Sequence, residues 1–269
     1  MKTKNNAKRT KTANSQRIEE LHTTARSIVA WSEDYPDGHV IVMHQHERTQ
    51  LLYASVGVMT VDTPQGIWVV PPLRAVWIPA FTDHQITCSG KVLMRTLYIK
   101  PETLTQPAHS CCVVSVSPLL RELILYAVEM PRLYDTDGPE GRIEQVIIDG
   151  IQDLEAAPLK LPVPENERLN RIQSALRKDP SDQRTLTEWA NLVGMTSRTL
   201  ARHIQAETNL TFGQWRQQIR LLEALRRLGR KEAVTRVAVD LGYDSPSAFI
   251  AMFKKALGNT PGKYFKAEN

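Results

Sequence analysis

The stretch VAVDLGYDSPSAFIAMF, residues 237–253, repeats a pattern that occurs earlier in the chain as WANLVGMTSRTLARHI, residues 189–204. Gly194 of the earlier copy corresponds to Gly242 of the later one, and an alanine precedes each glycine by four positions. A small residue lets two helices approach closely, and glycine adopts the positive φ of a tight turn without strain. Each copy therefore predicts two helices joined by a short turn, the helix-turn-helix motif.

The second helix of each motif is preceded by a start signal. Thr196 can cap the first, and Ser245 with Pro246 places an N-cap residue before a proline in the first helical turn. These helices are predicted to begin near residues 197 and 246. Apolar residues one turn apart then bury one face of each helix, so the opposite face points outward. The predicted buried residues are Leu200, Ile204, Phe249 and Phe253.

The outward faces carry side chains that can contact DNA. Arg198 and Arg202 lie one turn apart, and arginine donates two hydrogen bonds to guanine O6 and N7. The second motif has fewer donors: Ile250 suits a thymine methyl and lysines suit phosphate, so we expect it to read less sequence. The predicted DNA-contacting residues are Arg198, Ala201, Arg202, Gln205, Ser247, Ile250, Ala251, Lys254 and Lys255.

The segment TFGQWRQQIRLLEALRRLG, residues 211–229, joins the two motifs and has apolar residues at helical spacing. It predicts a stiff helix that holds the motifs at a fixed separation. If that separation is about 34 Å, the two second helices enter successive major grooves on one face of a duplex.

Charge is segregated along the chain, whose net charge is +5. Residues 1–17 carry six basic side chains and no acidic one, residues 18–164 have a net charge of −8, and residues 165–269 have +7. A basic C-terminal third suits a partner with phosphates, because neutralised phosphates release counterions. With 42% hydrophobic and 23% charged residues, the chain is not wholly disordered.

Other function classes are excluded by what the sequence does not contain. No apolar run reaches the roughly 18 to 20 residues of a membrane span, which predicts a cytoplasmic protein with no membrane partner. Three cysteines are too few for a disulfide framework and too poorly spaced for a metal finger.

Residues 165–266 resemble the AraC/XylS family of transcription regulators, most specifically over AVDLGYDSPSAFIAMFKKALGNTPGKYF, residues 238–265. The resemblance implies a DNA-binding domain of two helix-turn-helix units linked by a helix. Double-stranded DNA, a small-molecule effector and RNA polymerase are the partners expected of such a regulator. The base-facing residues that the resemblance implies are Arg198, Ala201 and Arg202 in the first unit and Pro246, Ser247, Ile250 and Ala251 in the second.

The region from residue 40 to 100 consists of short runs rich in Val, Ile, Tyr and Trp, punctuated by Gly and Pro. Six or more strands without intervening helices predict an antiparallel barrel or sandwich. Two amphipathic patterns follow, at residues 117–130 and 141–155, and these predict a helical hairpin. An exposed stripe on that hairpin could pack on a second copy, so a homodimer is expected.

The strand region carries one polar cluster. His44 and His46 share a face if they lie in a strand, and Gln50 joins them if that strand persists. Their spacing from Gly38 to Gly57 resembles the first motif of the cupin superfamily, and Pro79 to His84 resembles the second. The resemblance implies a pocket inside a barrel where metal-binding cupins hold a site of three histidines and a glutamate. Here Gln50 stands at the glutamate position, and Phe81 stands at a glycine position.

Three interpretations of the candidate pocket of His44, His46, Gln50 and His84 remain open. The four side chains could hold a divalent metal, since three imidazoles and a carbonyl suit a late first-row ion. They could hydrogen-bond an effector directly, or they could be purely structural. Arg48, at the same parity, is either an anion partner or a solvent-facing residue.

Together these patterns predict an α+β multidomain chain: an N-terminal cupin-like antiparallel β-barrel with a helical hairpin, and a C-terminal all-α domain of two helix-turn-helix units. The expected divisions are a disordered basic tail (1–17), a sensor and dimerisation domain (18–157), a proline-rich linker (158–166) and the DNA-binding domain (167–266).

The predicted function is a one-component, sequence-specific transcription regulator, without enzymatic activity, whose cupin-like domain senses a small molecule. The alternative is a cupin-type metalloenzyme with an accessory DNA-binding domain. It is the weaker hypothesis because no other residue supplies a placed acid, base or cofactor fingerprint.

Overall fold

The computed structural model describes residues 23–104, 110–152, 154–157 and 159–266. The chain divides into two compact units, one containing residues up to 63 together with 70–158, the other containing 64–69 and the chain from 159 onward. The predicted basic tail, residues 1–17, lies outside the described residues. Within the described ranges, no helix has the length and apolar character to cross a membrane.

The strands of the described chain pair as an antiparallel sheet, as predicted. They are β1 (Ile28–Tyr35), β2 (Val40–His44), β3 (Thr49–Thr63), β4 (Gly66–Val70), β5 (Arg74–Ile78), β6 (His84–Ile99), β7 (Cys112–Ser115), β8 (Ala156–Ala157) and β9 (Lys160–Leu161). In the first unit the strand order is β1-β6-β3-β5-β7-β8, and β2 pairs with β6. Among the described residues this order is open, so strand pairing does not close the expected barrel.

The long strands β3 and β6 organise the first unit. Strand β6 pairs with β1, β2 and β3. Successive side chains of a strand point to opposite faces. Leu51 and Tyr53 therefore face one way, into a hydrophobic core that includes residues of the helical hairpin, while Gln50 and Leu52 face the other way.

The predicted helical hairpin covers one face of the sheet with α1 (Pro118–Ala127) and α2 (Pro139–Gln152). Leu120, Ile124 and Ile147 pack in one core with the sheet residues. Glu144 of α2, only 5% exposed, accepts hydrogen bonds from the Tyr134 hydroxyl (2.6 Å) and the Ile28 amide (3.2 Å). A buried carboxylate is costly unless it is hydrogen-bonded, and these contacts fix α2 to β1.

The second unit is helical, as predicted, apart from the short pairing of β4 with β9. Its helices are α3 (Glu167–Lys178), α4 (Leu186–Leu192), α5 (Ser197–Thr208), α6 (Phe212–Gly229), α7 (Val234–Asp240), α8 (Pro246–Leu257) and α9 (Pro261–Tyr264). The helix-turn-helix motifs are α4–α5 and α7–α8. Helix α6 links them and spans about 27 Å at about 1.5 Å per residue. Lys160 and Leu161, in the segment predicted as a linker, form β9.

The turns of the two motifs are closed by equivalent main-chain hydrogen bonds. The Met195 amide donates to the Ala190 carbonyl (2.9 Å), and the Tyr243 amide donates to the Ala238 carbonyl (3.1 Å). The intervening glycines have φ of 65° and 74°, and both alanines are completely buried. The repeat seen in the sequence is therefore a repeat of backbone geometry.

The predicted helix starts are confirmed. Helix α5 begins at Ser197 with the Thr196 side chain accepting from the Thr199 amide, and α8 begins at Pro246 after the Ser245 cap. The residues predicted to bury one face of each helix are completely buried: Leu200, Ile204, Phe249 and Phe253.

The two turn glycines differ in what surrounds them, which gives a stability prediction. Gly194→Ala should destabilise the protein by about 1–2 kcal/mol, the cost of a left-handed conformation with a Cβ, since nothing lies within 4 Å of that Cβ. Gly242→Ala should cost more, because its Cβ would lie 2.8 Å from the Ser181 carbonyl oxygen. Urea unfolding followed by circular dichroism measures both. Equal costs would contradict the packing difference, and Gly213→Ala, at normal φ with open space, is the control.

Candidate DNA-binding surface and histidine cluster

Helix α5 presents its predicted contact residues on the face opposite its buried residues. Arg198, Arg202 and Gln205 are exposed, and Ala201 is half-buried between them. The two guanidinium groups start one helical turn apart and project from a helix whose other side is fixed in the core. This face can donate several hydrogen bonds to an acceptor-rich surface.

Helix α8 presents a different outward face. Ser247, Ala251, Lys254 and Lys255 are exposed, and Ile250 is half-buried. Its cations lie in the last turn of the helix, whereas those of α5 lie in its first half. Small and apolar residues occupy the part of α8 nearest its N-terminus. The chemistry of α8 therefore suits close approach and phosphate contact more than hydrogen bonding to bases.

Two side chains outside the motifs hold the turns in place. Arg168 of α3 donates to the Gly194 carbonyl (3.2 Å), and the Gln183 amide donates to the Gly242 carbonyl (2.7 Å). Sequence reasoning missed both, because their partners are 26 and 59 residues away and no local pattern marks the contact. They orient the turns that set the direction of α5 and α8.

The three predicted histidines come together in the first unit. One ring nitrogen from each of His44, His46 and His84 lies within 4.8 Å of the others. His84 is completely buried, His46 is nearly so, and His44 is half-buried. Ring centroids are separated by 4.2 Å for His44–His84, 5.1 Å for His46–His84 and 6.0 Å for His44–His46.

Main-chain carbonyls orient all three rings. His44 Nδ1 lies 2.9 Å from the Val42 carbonyl, His84 Nδ1 lies 2.8 Å from that of Thr82, and His46 Nδ1 lies 2.5 Å from that of Arg48. A carbonyl only accepts, so each Nδ1 carries the proton and donates it. In a neutral ring the lone pair is then on Nε2. Fixing the tautomer in this way is how proteins prepare histidines as ligands.

The orientation of Gln50 follows from its neighbours. The Thr96 hydroxyl donates to the Leu51 carbonyl (3.2 Å), so its oxygen accepts from Gln50 Nε2 (3.0 Å). Gln50 Nε2 also contacts the Tyr98 hydroxyl at 3.1 Å. The amide oxygen therefore faces His46 Nε2, 3.2 Å away. A proton on that nitrogen, or a cation between the two atoms, satisfies both groups.

The single strand expected to place His44, His46 and Gln50 on one face does not form. Strand β2 ends at His44 and β3 begins at Thr49, so the strand does not persist and His46 lies in the connecting loop. The register of β2 on β6 brings His84 opposite His44. Phe81, at the glycine position of the cupin-like motif, adopts φ 58°, and its amide donates to the His46 carbonyl (2.8 Å).

Arg48 fits neither of its expected roles. It is 4% exposed and donates to the main-chain carbonyls of Thr24, Arg26 and Ser27. Burial lowers the pKa of its guanidinium. Arg48 therefore ties the segment before β1 to the β2–β3 connection.

The cluster provides donors suitable for a metal ion. Two nitrogen ligands of one ion, each about 2.1 Å from it, are at most about 4.2 Å apart, and the histidine nitrogens lie within 4.8 Å of one another. Three imidazoles and an amide oxygen are all neutral, which suits late first-row metals and gives weaker binding than a set with a carboxylate. The same atoms equally suit hydrogen bonds to a polar effector.

Comparison with known proteins gives a consistent picture. A family model described as a helix-turn-helix domain matches residues 189–267. The chain is 39% identical over 222 residues to the HTH-type transcriptional regulator NimR of Escherichia coli, covering 82% of this chain and 81% of that protein. It is 32% identical over 117 residues to the HTH-type transcriptional regulator RipA of Corynebacterium diphtheriae, covering 44% of this chain and 34% of that one.

Among solved structures, ToxT from Vibrio cholerae aligns over 90% of this chain and 98% of its own length. The sequence identity is 8% and the TM-score is 0.38.

The donor set predicts how metal affinity responds to charge. Gln50→Glu should lower the dissociation constant for Co²⁺ by at least about tenfold, because a carboxylate adds a negative charge beside the imidazoles. Titration followed by the visible absorption of Co²⁺ measures this. Gln85→Glu is the matched control, since Gln85 adjoins His84 but points to the other face of β6. Equal affinities in all three proteins would contradict a metal site at the cluster.

Proposed function

Because the chain belongs to the AraC/XylS family of transcription regulators, we propose that α5 and α8 contact a specific DNA sequence and that the histidine cluster receives a small-molecule effector. DNA binding and control of transcription are the activity of the protein. We propose three further features: the residues that read the DNA sequence, the effector site and the oligomeric assembly.

One observation supports the DNA-reading residues above all others. Arg198 and Arg202 are exposed on a helix whose opposite face is completely buried, so the fold presents them in one direction. Arginine matches the two acceptors of guanine in the major groove, and a well-placed pair discriminates against other bases by about 1–3 kcal/mol. We assign most of the sequence reading to α5.

Helix α8 has a complementary role in this proposal. Ile250 and Ala251 offer apolar contact to a thymine methyl, while Lys254 and Lys255 contact phosphates. Phosphate contacts position a protein on DNA and contribute affinity that falls with salt. The second motif thus contributes more to affinity and register than to base selection.

The effector site is proposed at His44, His46, Gln50 and His84. Gln50 contacts the Thr96 and Tyr98 hydroxyls, and one ring nitrogen from each histidine lies within 4.8 Å of the others, so the cluster brings several polar groups together. A divalent metal bound by these residues would add positive charge for an anionic effector; without it, the imidazoles hydrogen-bond the effector directly. Regulation requires a coupling free energy between effector and DNA binding of about 1–3 kcal/mol.

A homodimer is the proposed assembly, formed through the helical hairpin. Leu119 and Tyr126 of α1 are 65% and 51% exposed, and they lie two turns apart on one face. Val146 of α2 adds a further exposed apolar side chain. Apolar residues repeated along one exposed helix face are typical of an interface. RNA polymerase is a further partner through which such a regulator would act.

The first test concerns base reading. Arg202→Ala should weaken binding to a duplex selected from a random library by about 1–3 kcal/mol, while binding to random-sequence duplex changes little. Fluorescence anisotropy at one fixed salt concentration measures both affinities. Arg171→Ala, an exposed arginine of α3, is the matched control. Equal weakening on both duplexes would show that Arg202 contacts phosphate only.

The second test concerns assembly. Leu119→Glu should convert the dimer to monomer in sedimentation velocity, because it places a charge in the apolar contact. Val239→Glu, a similarly exposed apolar residue of α7, should leave the dimer intact. A wild-type chain that sediments as a monomer at micromolar concentration would refute the hairpin dimer.

A further inference from the structure

A wide cleft lies between the first turns of α6 and the outward side of α8. Its empty volume is about 810 Å³, including space open to solvent. Three of its lining residues are cationic and none is acidic. The lining residues are Gly213, Arg216, Gln217, Arg220, Tyr243, Ala251, Met252 and Lys255.

Arg220 forms the fixed, buried part of this positive charge. It is 9% exposed, its Nε donates to the Pro180 carbonyl (2.7 Å), and its Nη2 donates to the Asp182 carbonyl (3.3 Å). Its guanidinium lies over the Tyr243 ring at 5.6 Å. Burial, and then the neighbouring charge of Arg216, lower the pKa of Arg220. An anion in the cleft would offset that repulsion.

Arg216 and Lys255 form the accessible part. Arg216 is half-buried, and its contact with the Arg184 carbonyl (3.2 Å) uses one of the five N–H donors of a guanidinium. Lys255 is exposed at the other side of the cleft. The nearby Asp182 carboxylate pairs with Arg184 and also attracts Arg216 and Arg220.

The cleft is continuous with the proposed DNA-contacting face, since Ala251 and Lys255 belong to both. A DNA groove that receives the outward face of α8 has one DNA strand along each of its two edges. These two strands lie beside the two flanks of the helix. One of those strands would cross the mouth of the cleft.

We propose that this cleft binds a backbone phosphate of the DNA strand that bounds the groove contacted by α8. Arg216 and Lys255 contact the phosphate directly, and Arg220 supplies buried positive charge behind them. The inference rests on the proposed function, because it requires α8 to lie on DNA. It explains how a motif with few base donors holds its position on the duplex.

The test is the salt dependence of binding to a random-sequence DNA duplex, measured by fluorescence anisotropy over a series of NaCl concentrations. Removing one phosphate-binding side chain lowers the slope of log K against log salt by about 1. Arg216→Gln and Lys255→Gln should each lower it by about that amount, and Arg216→Lys should restore it. Arg171→Gln, which removes a positive charge outside the cleft, should leave it unchanged.

The outcomes distinguish a failure of the cleft proposal from a failure of the proposed DNA binding. A wild-type chain without measurable duplex binding would refute the proposed DNA contacts themselves. Normal wild-type binding with an unchanged slope in Arg216→Gln, or an equal drop in Arg171→Gln, would refute the cleft alone, whereas an unchanged slope in Lys255→Gln would also contradict the phosphate contact proposed for α8. If Arg216→Gln melts abnormally by circular dichroism, Gln217→Glu decides the result: it places a negative charge on an exposed lining residue of the cleft and should weaken duplex binding, and unchanged binding would refute the cleft.

Inorganic phosphate distinguishes DNA from a free anion as the occupant. At constant ionic strength, inorganic phosphate should raise the melting temperature of the wild type by no more than it raises that of Arg216→Gln. A rise confined to the wild type would identify a free-anion site and overturn the proposal.

Discussion

Each second helix of the two motifs buries one face completely, and that one-sided burial determines what the other face can do. Leu200 and Ile204 fix α5, and Phe249 and Phe253 fix α8. A close-packed interior does not let a helix rotate about its axis without opening cavities. The face of α5 that carries the exposed arginines therefore keeps one direction, so the proposed reading of DNA depends on the apolar packing behind that face.

The same turn geometry supports two faces with different chemistry. Helix α5 presents two arginines suited to base edges, whereas α8 presents small and apolar residues followed by lysines. The cleft beside α8 adds positive charge from α6, a helix that the sequence marks only as a spacer. Under the functions proposed above, one motif selects the sequence and the other provides much of the salt-dependent affinity.

In the first unit, hydrogen bonds to main-chain carbonyls fix the orientation of the histidine rings, as apolar packing fixes the orientation of the helices in the second unit. Carbonyls of Val42, Arg48 and Thr82 each accept a hydrogen bond from one imidazole, and His46 Nε2 lies 3.2 Å from the Gln50 oxygen. The hydroxyl of Thr96 sets the direction of that amide. The three rings are thus oriented through main-chain atoms, which do not depend on the identity of the side chains at positions 42, 48 and 82.

The sequence by itself determined the duplicated motif, its helix starts and its buried faces, because helical periodicity, caps and turn glycines act within a few residues of one another. It also indicated which histidines to consider, but through a strand that in fact ends at His44. Only the tertiary structure decided that Arg48 is internal, that Arg168 and Gln183 hold the turns, and that Arg216, Arg220 and Lys255 share a cleft. These contacts join residues that are distant in the chain, and no local pattern encodes which of them meet.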